Sequence, residues 1–308
     1  MTLGRTAART DTGRRRRHNE DVFVLEPPLF AIADGMGGAN AGEVAARLAA
    51  AALQETEEGR SGEQAVVTLI QEANRRVYER ATEDAAASGM GTTMTVALLE
   101  DGQVRIGHVG DSRAYLIRDG ELAQLTDDHS LVGELVRSGK LAPEDAESHP
   151  QRSVITRALG TDPDVDVDTI TVETRSGDVF LLCSDGLYSM VGNERILELV
   201  ERYRGDLDAA AKALISAANK GGGEDNITVV AFEIAGAEGE TRPIEADEPD
   251  LHEEDTLTEI DRVPAVTTMV VPPEEAQEEL RPPRAVLVFL ALLLVAIAAS
   301  IVVYLIVR

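Results

Sequence analysis

Four short acidic segments between residues 20 and 226 are the part of the chain best suited to do chemistry. They are Glu20-Asp21, Asp34-Gly35, Ser184-Asp185-Gly186 and Glu224-Asp225-Asn226. Two of them follow strongly apolar runs, 30–33 and 179–183, so their carboxylates are expected where strands emerge from a core. Oxygen ligands gathered in this way suit hard metal ions. The segments therefore predict a metal site.

Asp-Gly pairs also mark tight turns, and this is the alternative interpretation of two segments. Asp101-Gly102 and Asp119-Gly120 each lie between two strand-like runs and are predicted to be hairpin turns only. Asp34-Gly35 and Asp185-Gly186 have no partner strand directly after them, so a turn explains them less well. Spacing alone leaves metal binding and turns open.

Charge and cysteine content restrict the classes of partner and compartment. The 308 residues carry a formal net charge of −26, which argues against nucleic-acid binding because phosphate backbones are bound by clustered Lys and Arg. The single cysteine, Cys183, lies in an apolar run; it excludes an internal disulfide and is expected to be a buried small hydrophobe in a reducing compartment. No apolar stretch follows the basic N-terminus, which excludes a conventional secretory signal peptide.

Two C-terminal segments differ from the rest of the chain. Residues 236–284 combine acids with scattered prolines, which predicts a disordered acidic linker. Residues 285–307 are apolar and long enough to span a bilayer, which takes about 20 residues; a buried core helix is the alternative. Flanking arginines favour a cytoplasmic N-terminal side. We therefore expect a single-pass transmembrane anchor in the cell membrane, with residues 1–235 forming a cytoplasmic catalytic domain.

The elements that must position the acids indicate a mixed α+β domain rather than repeated βαβ units. Helices are predicted over 41–58, 62–87, 194–203 and 208–219. Strand-like runs over 92–100, 104–109, 113–118 and 121–126 form two antiparallel hairpins, and a last strand covers 227–234.

Taken together, the motifs resemble the metal-dependent protein phosphatases of the type 2C Ser/Thr class, in their bacterial branch. The resemblance runs from about Asp11 to Ile234 and consists of seven motifs in family order. They are Gly13-x-x-Arg16-x-x-Asn19-Glu20-Asp21, Ala33-Asp34-Gly35-Met36-Gly37-Gly38, Gly91-Thr92-Thr93, Gly110-Asp111-Ser112-Arg113, Thr156-Arg157-Ala158-Leu159-Gly160, Ser184-Asp185-Gly186-Leu187 and Glu224-Asp225-Asn226-Ile227. The resemblance implies a four-layer α-β-β-α sandwich of two antiparallel sheets flanked by helices.

The resemblance also implies an activity, which is hydrolysis of phosphoserine and phosphothreonine in proteins. Together with the predicted anchor, it predicts that the enzyme opposes Ser/Thr kinases at the cytoplasmic face of the membrane. Two divalent cations about 4 Å apart acidify a water and offset charge on the phosphoryl oxygens. Mn²⁺ or Mg²⁺ suits the oxygen ligands, and the scarcity of His and Cys disfavours zinc. Bacterial members imply a third, weaker ion.

Position by position, the resemblance assigns the central ligands. Asp34 would bridge two metals, and the Gly35 backbone carbonyl would bind one of them. Asp185 and Asp225 would complete the shell of one ion.

The remaining assignments concern the other ions and the phosphate. Asp21, supported by Glu20, would act on the second ion, partly through water, and Asp111 would hold the third ion together with Asp185. Asn226 would either cap a strand or orient the attacking water. Arg16 aligns with the phosphate-binding arginine, whose planar fork can grip two oxygens. Its neighbours Arg14, Arg15 and Arg17 are expected to be a solvated basic run or a membrane-surface patch.

One departure leaves the general acid unassigned. Eukaryotic relatives have a histidine where Met36 stands, and many bacterial relatives have one just after the double glycine, where this chain has Ala39 and Asn40. His18 and His129 are expected to be structural. Residues 130–152 match the bacterial flap, a helix and loop over the cleft.

Two other functions compete with this interpretation. A non-catalytic phosphoprotein-binding module of the same fold is disfavoured by the intact Asp34, Asp185 and Asp225. A dedicated phosphatase of an anti-sigma-factor antagonist would be expected to carry a sensor domain. The expected partners are phosphorylated Ser/Thr proteins, including a Ser/Thr kinase, and the membrane, with the protein itself a monomer.

Overall fold

The computed structural model describes residues 2–37, 41–55, 61–146 and 149–236. The predicted linker, apart from its first residue, and the predicted span over 285–307 lie outside these ranges. Within them, no helix is both long and apolar enough to cross a membrane. The anchor and the cytoplasmic location therefore stay predictions.

Two antiparallel sheets form the centre of the described structure. The first contains, in spatial order, β1 (Thr2–Asp11), β11 (Ile227–Ala235), β10 (Val179–Cys183), β7 (Arg113–Arg118) and β8 (Glu121–Gln124). The second contains β2 (Asp21–Glu26), β3 (Leu29–Met36), β5 (Met94–Glu100), β6 (Gln103–Val109) and β9 (Asp168–Glu173), with the short β4 (Gly91–Thr92) also pairing with β3. Neighbouring strands pair antiparallel throughout both sheets.

Helices cover the outer face of each sheet. The second sheet is packed by α1 (Ala41–Glu55) and α2 (Glu63–Glu83), and the first by α6 (Asn193–Arg202) and α7 (Leu207–Gly221). Short helices α3 (Leu131–Arg137), α4 (Pro143–Ala146) and α5 (Asp185–Tyr188) lie in connections. The predicted sandwich of two antiparallel sheets flanked by helices is confirmed.

The layers explain why some strands are apolar without alternation. In β10, Phe180 and Leu182 face the core between the sheets, whereas Val179, Leu181 and Cys183 face the helices. Both faces are buried, so every position is apolar.

Aromatic rings fill the space between the sheets. Phe232 stacks on Phe30 with ring centroids 4.1 Å apart and on Phe180 at 5.1 Å. Such pairs contribute about 0.5–1.5 kcal/mol beyond their buried area. The stack therefore joins β3, β10 and β11, the strands that carry three of the acidic segments at their ends.

The two predicted hairpins are confirmed, but each lies in a different sheet. Asp101 and Asp119 adopt φ of 53° and 54°, the left-handed geometry of tight hairpin turns. Their hairpins are β5–β6 in the second sheet and β7–β8 in the first. Cys183 is buried, as expected.

Three strands were not predicted, namely β1, β2 and β9, and the single strand predicted over 92–100 is divided at Thr93 into β4 and β5. The expectation that Asp34 follows a strand also needs correction, because β3 continues to Met36 and includes Asp34. The strand is longer than its apolar run because β4 supplies a partner for Gly35 and Met36.

Candidate metal centre

All four acidic segments lie at one edge of the two sheets. In the second sheet, Asp21 begins β2 and lies opposite Asp34 near the end of β3. In the first sheet, Asp185 follows β10 and Asp225 precedes β11. Because β10 and β11 are antiparallel neighbours, the end of one strand and the start of the other meet at the same edge.

The backbone at Asp34 is fixed by two threonines. Its N–H donates to Thr93 Oγ1 at 3.0 Å, and its carbonyl accepts hydrogen bonds from Thr92 Oγ1 and the Thr93 N–H, each at 2.9 Å. Both threonines are buried, while Asp34 itself is half-buried. The Gly91-Thr92-Thr93 motif therefore supports the predicted bridging carboxylate.

Asp21 connects the two sheets through its carboxylate. Its Oδ2 accepts hydrogen bonds from Ser184 Oγ and Thr228 Oγ1, both at 2.7 Å. Ser184 directly follows β10 and Thr228 lies in β11, so both hydroxyls come from the first sheet. Its Oδ1 is buried and accepts no hydrogen bond from the residues that the structure describes, and the same holds for Oδ1 of Asp185. A buried carboxylate oxygen without a donor is costly unless a cation compensates for it.

The carboxylates also disfavour one another's charge. Burial raises the pKa of Asp21 to about 6, and it raises the pKa of Asp34 well above its usual range, with the charges of Asp21, Asp185 and Asp111 adding to the effect. The pKa of Asp185 is raised by burial and by Asp111 and Asp225. A site with this excess of negative charge suits divalent cations.

The described residues contain no three His, Cys, Asp or Glu side chains that converge into a finished ligand set for one ion. Mutual repulsion keeps like charges apart, and hard ions such as Mg²⁺ complete their shells with water rather than with protein atoms alone. Two observations indicate that the site suits divalent ions: the buried Oδ1 atoms of Asp21 and Asp185, which have no described hydrogen-bond partner, and the negative charge of the neighbouring carboxylates.

Both Asp-Gly pairs of the site differ from hairpin turns, because their glycines are required by close backbone packing. A Cβ on Gly35 would lie 2.1 Å from the Gly42 carbonyl oxygen, and one on Gly186 would lie 2.0 Å from that of Asn226. Neither glycine has a positive φ. The turn interpretation is therefore wrong for these two pairs.

Arg16 lies over the acidic centre. Its Nη2 is 2.6 Å from Asp225 Oδ2, and half of its side chain is exposed. Burial alone would lower the pKa of Arg16, but the charges of Asp225, Asp185 and Asp34 raise it. The predicted phosphate-binding residue is thus brought to the predicted ligands, and its guanidinium stays accessible to an anion.

Asn226 fixes the segment that carries Arg16. Its Nδ2 donates to the carbonyls of Thr12 and His18, both at 3.0 Å, while its Oδ1 accepts the Glu20 N–H at 2.8 Å. The Glu20 carbonyl accepts the Gly35 N–H at 3.1 Å. Of the two alternatives for Asn226, these bonds favour a backbone-holding role over the orientation of water.

Glu20 is half-buried, and burial raises its pKa. The charge of Asp225 is among the smaller contributions to this rise in pKa, so the Glu20 side chain lies within electrostatic range of that aspartate. Its supporting role at the second ion stays a prediction.

Asp111 joins the site through contacts that the sequence did not indicate. It follows β6 and is buried, and burial followed by the charge of Asp128 raises its pKa to about 6. Tyr188, at the end of α5, donates its hydroxyl to the Asp111 carbonyl at 3.0 Å. Arg113 lies 3.6 Å from the Tyr188 ring centroid and forms two hydrogen bonds to Asp128, at 2.9 and 2.7 Å.

The two histidines considered above have structural contacts. His129 is buried, its Nδ1 accepts the Gly110 N–H at 3.0 Å, and its Nε2 lies 3.1 Å from both Asp168 Oδ2 and Arg157 Nη1. His18 is exposed, and its carbonyl accepts a hydrogen bond from Asn226. These contacts are with backbone groups, Asp168 and Arg157, and they do not identify either histidine as the residue that protonates the leaving group. The general acid therefore stays unassigned.

An aspartate-lined edge between two antiparallel sheets, with an arginine over it, defines the class of metal-assisted phosphate hydrolases built on an α-β-β-α sandwich. The family model for protein phosphatase 2C matches residues 16–218. The chain belongs to the protein phosphatase 2C family and is an enzyme of the protein serine/threonine phosphatase class.

Similar proteins agree over the same region. The serine/threonine phosphatase stp of Listeria monocytogenes is 44% identical over 237 residues, which cover 73% of this chain and 94% of that protein. The Mycobacterium tuberculosis serine/threonine protein phosphatase PstP is 42% identical over 244 residues, covering 78% of this chain and 47% of PstP.

Solved structures share the fold. A crystal structure of the Mycobacterium tuberculosis phosphatase PstP/Ppp matches with a TM-score of 0.72 at 41% identity. The match covers 76% of this chain and 100% of the PstP/Ppp chain. The catalytic domain of PstP, solved with two manganese ions, has a TM-score of 0.70 at 39% identity, covering 76% of this chain and 99% of that one.

Proposed function

We propose that this protein hydrolyses phosphoserine and phosphothreonine in proteins with Mn²⁺ or Mg²⁺ held by Asp34, the Gly35 carbonyl, Asp185, Asp225 and Asp21. The observation that carries the proposal is the pair of buried, unpartnered oxygens, Oδ1 of Asp21 and Oδ1 of Asp185, among carboxylates that raise one another's pKa. The PstP catalytic domain with two manganese ions supports the choice of metal.

When bound, such cations lower the pKa of water and offset charge on a phosphoryl group. The chain's own residues supply position. Thr92 and Thr93 hold the Asp34 peptide, and Ser184 and Thr228 fix the Oδ2 of Asp21, while its Oδ1 receives no hydrogen bond from a described residue.

Arg16 receives the phosphate of the substrate. Its present partner is Asp225 at 2.6 Å, and the half-exposed guanidinium has further N–H groups that can engage two phosphoryl oxygens. Asn226 holds the carbonyls of Thr12 and His18 on either side of Arg16, which limits the movement of the loop. The loop therefore presents the guanidinium without a large ordering cost.

The cellular role follows from the sequence rather than from the described residues. The apolar run 285–307 would anchor the protein in the cell membrane as a single-pass helix, with the catalytic domain on the cytoplasmic face, where it would oppose Ser/Thr kinases. Extraction of membranes at alkaline pH tests the anchor. Release of the full-length chain together with peripheral proteins would contradict it.

The activity is tested with the full-length chain and matched peptides bearing phosphothreonine, phosphoserine or phosphotyrosine. We expect phosphate release from the first two with Mn²⁺, and little from the third. Arg16→Lys keeps the positive charge but loses the planar guanidinium that can bind two phosphoryl oxygens at once. We therefore expect it to raise the KM for the phosphothreonine peptide by about tenfold. A folded protein that binds Mn²⁺ and phosphopeptide without releasing phosphate would support the non-catalytic alternative instead.

A further inference from the structure

The loop over residues 12–19 is held firmly beside the metal centre. The N–H groups of Arg14 and Arg15 donate to the Gly223 carbonyl at 2.7 and 3.1 Å. Asn226 binds the carbonyls near both ends of the loop. The loop therefore presents its side chains from a fixed backbone.

Three arginines of this loop have no partner in the described structure. Arg14, Arg15 and Arg17 are exposed, and none of them has a side-chain hydrogen bond or ion pair with a described residue, whereas Arg16 between them pairs with Asp225. Arginines elsewhere on the surface do find acids, as Arg9 does with Asp208 at 2.6 Å.

A fourth arginine approaches the same centre from the flap segment. Arg152 Nη2 lies 3.8 Å from Glu224 Oε2, and both side chains are more than half exposed, at 52% and 57%. Glu224 directly precedes the predicted ligand Asp225. We call Arg14, Arg15, Arg17 and Arg152 the basic rim.

The charge of the basic rim contrasts with that of the whole molecule. In a chain of net charge −26, acidic side chains are abundant, yet the side chains of three arginines beside the phosphate-binding residue pair with none of the acids that the structure describes. A cluster of one sign at a cleft raises the local concentration of oppositely charged ligands and selects against others. The guanidinium groups beside Arg16 therefore favour the binding of substrates that carry acidic side chains.

We propose that the basic rim selects phosphoprotein segments with acidic residues close to the phosphorylated Ser or Thr. The inference rests on the proposed function and adds a substrate class to it. An extended peptide advances about 3.3–3.6 Å per residue, so side chains two or three positions along the peptide lie about 7–11 Å from the phosphorylated residue. That distance is within reach of arginines one or two residues along the loop. The basic run is thus part of the substrate site rather than a merely solvated segment.

The test compares three phosphothreonine peptides of equal length with Asp/Glu, Asn/Gln or Lys at the flanking positions. We expect the full-length protein to show a kcat/KM about tenfold higher for the acidic than for the neutral peptide. Replacing Arg14, Arg15 and Arg17 by Gln should raise the KM for the acidic peptide about twofold per arginine, which is within the range of an exposed ion pair. The effect should shrink at high salt.

Three controls separate this effect from damage to the enzyme. Lys212→Gln removes one exposed charge from α7 and should leave the peptide preference unchanged. Replacing the three arginines by Lys keeps the charge and should retain most of the preference. Turnover of p-nitrophenyl phosphate, which has no flanking acids, measures for each variant how much of any loss of activity is independent of the peptide.

Equal kcat/KM for acidic and neutral peptides in the unmodified protein overturns the inference while leaving the proposed function intact. No turnover of any peptide refutes the proposed function instead. If the peptides are not distinguished but the Gln variant loses binding to vesicles containing phosphatidylserine, the basic rim is a membrane-surface patch and the inference is wrong.

Discussion

Tyr188 donates its hydroxyl to the backbone carbonyl of Asp111 at 3.0 Å, across 77 residues of chain. Tyr188 ends the short helix α5, which begins at Asp185. One side chain therefore links the helix that begins at Asp185 to the backbone of Asp111, the two residues that the family resemblance assigns to a third metal. Arg113, stacked 3.6 Å from the ring centroid, holds the phenol in place.

Tyr188→Phe removes this hydrogen bond and keeps the stacked ring. A hydrogen bond of this kind contributes about 1 kcal/mol, so we expect the weakest class of Mn²⁺ sites to bind about fivefold less tightly. Isothermal titration of Mn²⁺ measures the change, and Tyr203→Phe at the exposed end of α6 is the control. Equal weakening of all Mn²⁺ sites would show a general structural effect instead.

Asn226→Asp tests the hold on the Arg16 loop with almost no change in shape. A carboxylate cannot donate to the carbonyls of Thr12 and His18, so two hydrogen bonds are lost. Each buried unsatisfied group costs about 1–3 kcal/mol, and we expect kcat/KM for a phosphothreonine peptide to fall 10- to 100-fold. Unchanged KM and kcat would mean that the loop is held without Asn226.

Gly186→Ala tests whether the Asp-Gly pair is a packing requirement. A Cβ at this position would lie 2.0 Å from the Asn226 carbonyl oxygen, so the backbone must shift, and overpacking of this kind costs about 1–3 kcal/mol. Urea unfolding should show the loss. Gly205→Ala, whose Cβ would meet nothing within 4 Å, should change stability by no more than about 0.5 kcal/mol.

His108 makes stability depend on pH. Burial, and then the neighbouring His129, lower the pKa of His108 from 6.5 to about 4. Because the unfolded chain binds this proton more readily, the stabilising contribution is complete above about pH 6.5 and is lost as the pH falls toward 4. The loss amounts to about 3 kcal/mol.

Urea unfolding between pH 4 and 7.5 in EDTA measures this linkage. His108→Gln should be less stable at pH 7.5, because its contacts with Thr95 and the Asp127 carbonyl change, but its stability should fall less steeply with acid. Parallel pH profiles for the two proteins would contradict the assignment to His108.

The sequence predicted the parts of the fold that local patterns determine. The Asp101 and Asp119 turns adopt positive φ, as their flanking strand patterns require, and the uniformly apolar β10 is buried on both faces. By contrast, β1 has mostly half-buried or exposed positions and no clear apolar period, and it is a strand because β11 offers an edge for pairing. In β9, Ile170 and Val172 do alternate with polar residues and pack against the core between the sheets, so that strand could have been predicted from its local pattern.

The same distinction holds for the site. The aspartates were found because each is part of a short motif, whereas their supports are distant in sequence. Thr228 reaches Asp21 across 207 residues, and Arg16 reaches Asp225 across 209. Such contacts depend on the packing of the two sheets, which single-sequence patterns do not encode.

We expect this group of aspartates to hold the divalent ions required for phosphate release. Isothermal titration of Mn²⁺ into EDTA-treated full-length protein and its Asp34→Asn variant measures the ion binding, and phosphothreonine-peptide turnover is measured on the same samples. We expect tight Mn²⁺ binding and restored turnover in the unmodified protein, and a loss of at least one tight site with no restored turnover in the variant. Metal-independent turnover, or equal Mn²⁺ binding and activity in both proteins, would contradict the claim.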